Sequence, residues 1–266
     1  MHPVVARCLS LGDGKSDPAS ATRVLAACSQ AAKSEAIPAL QRATALVFKA
    51  RALKTLGQAP ASMDAIREAV RMEPASAPIL AEYGIALSEA GQLDAAEQQF
   101  RAALALDGEE AFALSGLGHV LAKQRRYGEA SKYLERALRY PRIDPDTRGL
   151  LALVLVFNGE IARATELAMR AVREAPNRPL LQKYAALVLS EQGTHVEALP
   201  YARRAVQLAP RDPGVFITLG YTAHYTAQFV ESVRAFEHAL RLDPAILNAD
   251  DSTVYAGSKA GRRVGK

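Results

Sequence analysis

The sequence has few of the residues and motifs that carry out chemistry. It contains no tryptophan and only two cysteines, and aromatic residues make up 6% of its 266 positions. Its five histidines form no HExxH pair or comparable pair of metal ligands. The sequence also lacks a GxSxG motif, a phosphate-binding loop and a dinucleotide fingerprint. We therefore predict a protein that is not an enzyme, with no catalytic residue, no cofactor and no metal site.

Long apolar segments are absent as well. The longest apolar run, residues 150–157, is far shorter than the roughly 20 residues that a membrane-spanning helix needs. Near the amino terminus, the apolar residues 4–6 are followed by Arg7, so the stretch is too short for a secretory signal. We expect no membrane span and a cytoplasmic location. A periplasmic location is the alternative, if a leader has been removed.

The net charge of +5 is concentrated at the carboxyl terminus. Residues 252–266 hold Lys259, Arg262, Arg263 and Lys266 and no acid, so the rest of the chain carries a charge of only about +1. A surface that follows nucleic-acid phosphates needs a clustered basic stripe. No specific nucleic-acid binding is therefore expected. The lysines, arginines and glycines together predict a basic, flexible tail over residues 247–266.

The sequence does contain a period of 34 residues, which recurs six times from position 43 without insertion or deletion. One position of the period is always small, and holds Ala50, Gly84, Gly118, Ala152, Ala186 and Gly220. A second is always alanine, at Ala69, Ala103, Ala137, Ala171, Ala205 and Ala239. A turn glycine recurs as Gly57, Gly91, Gly159 and Gly193. A strict period of this length indicates a helical solenoid.

The spacing of apolar residues agrees with this interpretation. In residues 93–106 they recur every three or four positions, which is typical of an amphipathic helix. No segment shows the sustained alternation of a strand. Two short helices cannot bury their own apolar face, so each repeat must be stabilised by its neighbours.

These recurring residues resemble the tetratricopeptide repeat (TPR) family over residues 43–246. The resemblance implies an all-α fold, a right-handed superhelical solenoid of antiparallel helix pairs, with six repeats that start at positions 43, 77, 111, 145, 179 and 213. The usual first aromatic site departs from the family pattern in the fourth and fifth repeats, which have Arg148 and Gln182 there. Residues 1–42 are expected to form an amino-terminal helical cap or a degenerate repeat.

Two cysteines, Cys8 and Cys28, lie in this predicted cap. Their spacing fits neither a redox pair nor a zinc site. A disulfide between them would indicate an oxidising compartment. We favour the other interpretation, two buried thiols.

The resemblance also implies where a partner binds, because in the TPR family the first helix of each repeat lines a concave groove. The matching positions, called the predicted groove below, are Val47, Arg51, Lys54, Ile85, Phe112, His119, Lys123, Leu153, Phe157, Lys183, Leu187, Ile217, Tyr221, His224 and Tyr225. This set is mostly apolar, with a few cations and an aromatic patch in the last repeat. Such a surface suits a peptide or helix of a partner protein. For Leu153 and Phe157, the alternative is a place in the core between repeats.

We therefore predict a non-catalytic scaffold or adaptor that binds a segment of a partner protein. It is expected to support the assembly of a bacterial complex, such as a pilus, secretion or envelope complex. One alternative is a self-assembling scaffold, in which residues 1–42 of one copy fill the groove of the next. The other is the interaction part of a larger enzyme or regulator.

Overall fold

The computed structural model describes residues 2–12, 17–141 and 143–264, and every regular element in these residues is an α-helix. Contacts divide the chain into two compact units, Met1–Arg125 and Arg126–Lys266. No helix in the described ranges combines the length and the apolar content that crossing a membrane requires. The predicted all-α fold of paired helices is confirmed.

In the first unit, helices that are adjacent in sequence pack against each other, and the first helix of one repeat also contacts the first helix of the next. The helices are α1 (Pro3–Gly12), α2 (Pro18–Lys33), α3 (Ala39–Thr55), α4 (Ala59–Met72), α5 (Ala77–Glu89), α6 (Leu93–Leu106) and α7 (Ala111–Lys123). The first helices of the first three repeats are thus α3, α5 and α7. Helix α3 begins at Ala39, four residues before position 43, where the 34-residue period places the start of the first repeat.

The second unit is built in the same way. Its helices are α8 (Tyr127–Ala137), α9 (Pro145–Phe157), α10 (Ile161–Glu174), α11 (Pro179–Glu191), α12 (His195–Leu208), α13 (Pro213–Tyr225), α14 (Phe229–Leu242) and α15 (Ala249–Val264). The first helices of the last three repeats are α9, α11 and α13. Each of them packs against the second helix that follows it, and in addition α9 contacts α11, α11 contacts α13 and α13 contacts α15.

Several helices begin at an aspartate followed by a proline. The side chains of Asp17, Asp144 and Asp212 each accept a hydrogen bond from a backbone N–H of the helix that follows. Proline then occupies the first turn, where its lack of an N–H costs nothing because that group has no partner within the helix. These starts fix where α2, α9 and α13 begin.

The small position of the repeat accommodates an aromatic ring from the second helix. A Cβ atom at Gly84 would lie 2.7 Å from the ring of Phe100, and one at Gly220 would lie 2.7 Å from the ring of Phe236. Both phenylalanines are fully buried. The close approach of the two helices explains why this position is small in these two repeats.

The turn between the helices of a pair has one residue in the left-handed backbone region. Glycine occupies this position in four repeats, with φ between +73° and +85°. In the other two repeats the same position is held by Arg125 and Ala227, with φ of 60° and 58°. The turn geometry is therefore kept even where a side chain makes it unfavourable.

In the amino-terminal segment, Cys8 and Cys28 form a disulfide that joins α1 to α2, with their Cα atoms 4.9 Å apart. The favoured interpretation of two buried thiols is therefore wrong. Both residues are completely buried, as that interpretation required, but the packing of α1 on α2 also brings their sulfurs together. The surrounding core includes Val5, Ile37 and Ala45, and so connects α1 and α2 to α3.

The predicted flexible tail differs from the structure. Residues 249–264 form α15, which packs on α13 and α14. Its glycines, which we interpreted as a sign of flexibility, permit close packing instead. A Cβ atom at Gly257 would lie 3.1 Å from the His224 ring, and one at Gly261 would lie 2.7 Å from the Phe229 ring. Lys266 and the side chains of Arg262 and Arg263 lie outside the described residues.

Replacing Ala227 with glycine should increase the stability of the protein, although glycine usually has the opposite effect. Relief of the left-handed conformation outweighs the greater freedom of glycine in the unfolded chain, for a net gain of about 0.5–1 kcal/mol. The matched control is Ala102→Gly, at an exposed site inside α6, which should lower stability by about 1 kcal/mol. Chemical denaturation measures both. Equal losses in the two variants would contradict the strained turn.

Removing the disulfide should destabilise the protein. For cysteines separated by 20 residues, loop-closure entropy gives a loss of about 3 kcal/mol. The double variant Cys8→Ala, Cys28→Ala should therefore unfold at a lower denaturant concentration. A reductant should bring the wild-type protein to a similar stability and leave the variant unchanged. A wild-type midpoint that does not respond to reductant would contradict the bond.

Candidate functional site

The predicted groove residues on α3 fall into one buried and two exposed side chains. Val47 is 5% exposed and belongs to an apolar core that includes Leu46 and Ile79, so its side chain packs inside the first unit. The reason is that α3 is in contact with α1, α2, α4 and α5, and little of its surface is left free. Arg51 and Lys54 are exposed, as predicted.

Both of these cations form ion pairs with carboxylates of α5. The guanidinium of Arg51 donates hydrogen bonds to Glu82, one of them from Nε to Oε2 at 3.2 Å. Lys54 pairs with Glu89. The Arg51 guanidinium also lies 5.2 Å from the centre of the Phe48 ring, at cation–π distance. On this part of the first unit, the positive charges are already neutralised.

A cavity of about 250 Å³ lies between α5 and α7. Four residues of the predicted groove line it, namely Ile85, Phe112, His119 and Lys123. The other lining residues are Ser88, Glu89, Phe100, Ser115 and Gly116. The structure therefore brings together all the groove residues that were predicted on these two helices.

The ring of Phe100 packs between two glycines at this cavity. A Cβ atom at Gly84 on α5 would lie 2.7 Å from the ring, and one at Gly116 on α7 would lie 2.2 Å from it. Neither Phe100 nor Gly116 belongs to the predicted groove. The signal that could have found them is the pair of glycines 32 residues apart on neighbouring first helices, with a phenylalanine on the helix between them.

The electrostatics of this cavity are set by burial and by Lys123. Burial of His119 and the nearby positive charge of Lys123 both lower the pKa of the imidazole, so His119 is neutral at neutral pH. The cavity thus has an apolar surface formed by Ile85, Phe100 and Phe112, with polar groups around it. An apolar side chain with a hydrogen-bonding backbone fits such a site.

In the second unit, Leu153, Lys183, Leu187 and Ile217 are partly exposed along α9, α11 and α13. Phe157 is 50% exposed. Its ring stacks on Tyr127, with the ring centres 4.3 Å apart. Phe157 is therefore a surface residue rather than part of the core between repeats, whereas Leu153 is largely covered.

The remaining predicted residues form an aromatic cluster at the end of α13. The rings of Tyr221 and Tyr225 are 5.0 Å apart, and Tyr225 donates a hydrogen bond of 3.5 Å to the Tyr221 hydroxyl. His224 meets Tyr225 edge-on at 5.1 Å. The ring of His195, at the start of α12, stacks on the ring of Tyr225, with the ring centres 4.6 Å apart.

His195 was not among the predicted groove residues, because it begins a second helix and those residues were taken from first helices alone. A positional signal was present. Tyr225 follows His195 by 30 residues, and Phe157 follows Tyr127 by the same number. In each case a residue at the end of a first helix stacks on the first residue of the preceding second helix.

His224 also connects the cluster to α15. Its Nδ1 lies 2.9 Å from Oγ of Ser258, which in turn lies 2.7 Å from Oγ of Ser232. Ser232 donates to the carbonyl oxygen of Gly220. Burial lowers the pKa of His224, so its ring is neutral at neutral pH. Both serines are fully buried, and the contacts fix the ring of His224 against α15.

Within residues 2–12, 17–141 and 143–264, no three side chains of histidine, cysteine, aspartate or glutamate are grouped so that they could hold a metal ion. The geometry described above is one of apolar and aromatic surfaces with neighbouring charges. Surfaces of this kind are suited to contacts with another protein.

A family model described as "Tetratricopeptide repeat" matches the chain three times in overlapping windows, at residues 82–146, 115–179 and 150–213. The chain belongs to the tetratricopeptide repeat family. The resemblance inferred from its 34-residue period is thereby confirmed. A search of curated proteins finds no match.

Solved structures of other TPR proteins share the fold. A TPR protein from Parabacteroides merdae is 13% identical, with 96% of this chain and 97% of that chain covered and a TM-score of 0.66. PilF of Pseudomonas aeruginosa is 22% identical, with 82% of this chain and 96% of the PilF chain covered and a TM-score of 0.62. YrrB is described as a TPR protein with an unusual peptide-binding site. It is 23% identical, with 74% of this chain and 99% of the YrrB chain covered and a TM-score of 0.50.

The TPR fold is a scaffold for protein–protein interaction. In this TPR protein the exposed side chains of the first helices differ between the two units. Among the predicted groove residues, those of the first unit form ion pairs and line a small cavity, whereas those at the end of α13 form an aromatic cluster. The backbone positions recur, but the chemistry that they present changes along the chain.

Replacing Gly116 with alanine should destabilise the protein, because the added methyl group collides with the buried Phe100 ring. A loss of about 1–3 kcal/mol is typical of such overpacking. Gly128→Ala is the matched control, since a Cβ atom at this exposed position in α8 has no neighbour within 4 Å. This variant should be neutral or more stable, because alanine favours a helix over glycine. Thermal unfolding of both variants tests the packing, and a Gly116→Ala protein as stable as the control would contradict it.

Proposed function

We propose that this TPR protein is a non-catalytic scaffold that binds a segment of a partner protein on the exposed faces of its first helices. The observation that carries the proposal is the convergence of the predicted residues. Ile85, Phe112 and His119 share one cavity in the first unit, and Tyr221 and Tyr225 share one cluster in the second. Exposed aromatic and aliphatic side chains beside polar groups are characteristic of peptide-binding surfaces.

We further propose that the protein works in an oxidising compartment and supports the assembly of a complex in the bacterial envelope, such as a pilus or secretion complex. The disulfide between Cys8 and Cys28 supports this location, because disulfides are rare in proteins of the cytosol. PilF shares the fold, and at 22% identity the likeness is one of fold alone.

The first experiment is an affinity capture from the cells that produce the protein, followed by mass spectrometry. The wild type is compared with the double variant Leu187→Glu, Tyr221→Ala, which changes two partly exposed residues of the second unit. A charge in an apolar contact and the loss of an aromatic anchor should reduce capture of the partner by at least about tenfold.

The matched control is Val196→Glu, which introduces the same charge at a valine that is 76% exposed on α12, outside the predicted groove. This control should retain the partner. Circular dichroism shows whether each variant is folded. Retention of every partner by a folded double variant would contradict the proposal, and recovery of the protein alone would favour self-assembly instead.

The first unit is tested by photo-crosslinking. A benzoylphenylalanine placed at Phe112, which is 44% exposed beside the cavity, should crosslink to the captured partner. The same residue at Leu106, which is 51% exposed at the end of α6, should not. Equal crosslinking at the two positions would argue against binding at the cavity.

A further inference from the structure

The aromatic cluster at the end of α13 includes a ring that is half exposed. Tyr225 is covered on one side by His195, with ring planes within 15° of parallel, and contacts Tyr221 and His224 at its edges. Even so, the residue remains 49% exposed. The electron-rich face of a tyrosine ring attracts a cation placed over it.

Two carboxylates come from the helices that pack against α13. Glu191 follows Ser190, whose hydroxyl lies 3.3 Å from that of Thr222, the residue after Tyr221, and Asp250 belongs to α15, which contacts α13. The pKa of the Tyr221 hydroxyl is raised to about 12, first by its hydrogen bond with Tyr225, then by burial, and further by the negative charges of Glu191 and Asp250. Glu191 ends α11, and Asp250 lies in the first turn of α15. Neither carboxylate forms an ion pair with any residue in the described part of the chain.

The repeat register explains why Glu191 is unpaired. It occupies the position that Glu89 has in the first unit, three repeats earlier. Glu89 pairs with Lys54, which precedes it by 35 residues. The residue 35 positions before Glu191 is Val156, which cannot neutralise a carboxylate. The negative charge is therefore left available at the edge of the cluster.

The second unit also lacks an arginine where the first has one. Arg51 lies over the Phe48 ring and pairs with Glu82. The position of Arg51 is occupied by Tyr221 in the last repeat, five periods later. The first unit thus combines an aromatic ring, a carboxylate and a guanidinium of its own, whereas the second has the rings and the carboxylates without the guanidinium.

Other cations of the second unit do not fill this place. Lys183 lies eight residues before Glu191 on α11, or about 12 Å along the helix axis. Lys259 lies over a different ring, that of Tyr255, at 3.9 Å. His224 is neutral at neutral pH because burial lowers its pKa. Among the side chains that the structure describes, none brings a positive charge to the cluster, which is negative and aromatic.

We propose that His195, Tyr221 and Tyr225, together with the carboxylates of Glu191 and Asp250, form a subsite for an arginine side chain of the bound partner. A guanidinium is planar, so it stacks on an aromatic ring while its N–H groups donate to carboxylates. The inference rests on the proposed function, and it adds that the partner segment is basic where it meets the end of α13.

The test uses the full chain and two probes of equal shape, N-acetylarginine methylamide and the uncharged N-acetylcitrulline methylamide. Histidine ring signals are followed by nuclear magnetic resonance, which is practical because the chain has only five histidines. The signals of His195 and His224 should move with the arginine probe. The citrulline probe should bind at least about fivefold more weakly, because it lacks the charge.

Two variants locate the binding. Glu191→Gln removes a charge from an exposed residue, and Tyr225→Leu removes the ring but keeps an apolar side chain. Each should weaken arginine binding by about three- to tenfold. Glu166→Gln is the matched control, because Glu166 is also an exposed glutamate of the second unit but lies on α10. It should leave the affinity for arginine unchanged.

Equal binding of the two probes would overturn the arginine subsite, as would an absence of shifts or an affinity unaffected by Glu191→Gln. These results are distinguishable from failure of the proposed function. If the probes fail while the Leu187→Glu, Tyr221→Ala variant still loses its partner, only the arginine subsite is wrong. If arginine binds while that variant keeps every partner, the proposed function is wrong instead.

Discussion

Packing between neighbouring helix pairs is the interaction on which the rest of this structure depends. A pair of helices of about fourteen residues has too little apolar surface facing inward to be stable alone. The alanines that recur on the second helices, such as Ala103 and Ala239, are completely buried. Phe100 and Phe236 fill the space above Gly84 and Gly220. Each unit is stable because these contacts are repeated along it.

This arrangement separates the residues that maintain the fold from those that determine binding. The small positions and the buried rings cannot change without collisions or cavities, whereas the exposed positions of the first helices are free to differ. The position that holds Arg51 in the first repeat holds Tyr221 in the last. The same backbone therefore presents an ion pair at one site and an aromatic ring at another, and this variation is what gives a repeat protein its specificity.

The fold was predictable because the period expresses local packing requirements that are independent of distant contacts. What the sequence did not reveal depends on how particular helices meet. The Cys8–Cys28 bond follows from the packing of α1 on α2, and Val47 is buried because α3 has neighbours on several sides. The glycine content of α15 suggested a flexible segment. In the structure, these glycines leave room for the rings of His224 and Phe229. His195 could be recognised only through its 30-residue spacing from Tyr225.

Helices α1 and α15 are held in different ways, and we expect this difference to influence where the protein opens locally. Each of them contacts two other helices, and a helix with few neighbours opens more readily than one inside the array. At the amino-terminal end a covalent bond holds α1 to α2. Within the described residues, α15 is held by packing on α13 and α14 and by the Ser258 hydrogen bonds, without a covalent bond, so we expect local opening to begin there. Because Asp250 belongs to α15, a cation bound at the proposed subsite would favour the closed state of this helix, and binding and local folding would be thermodynamically linked.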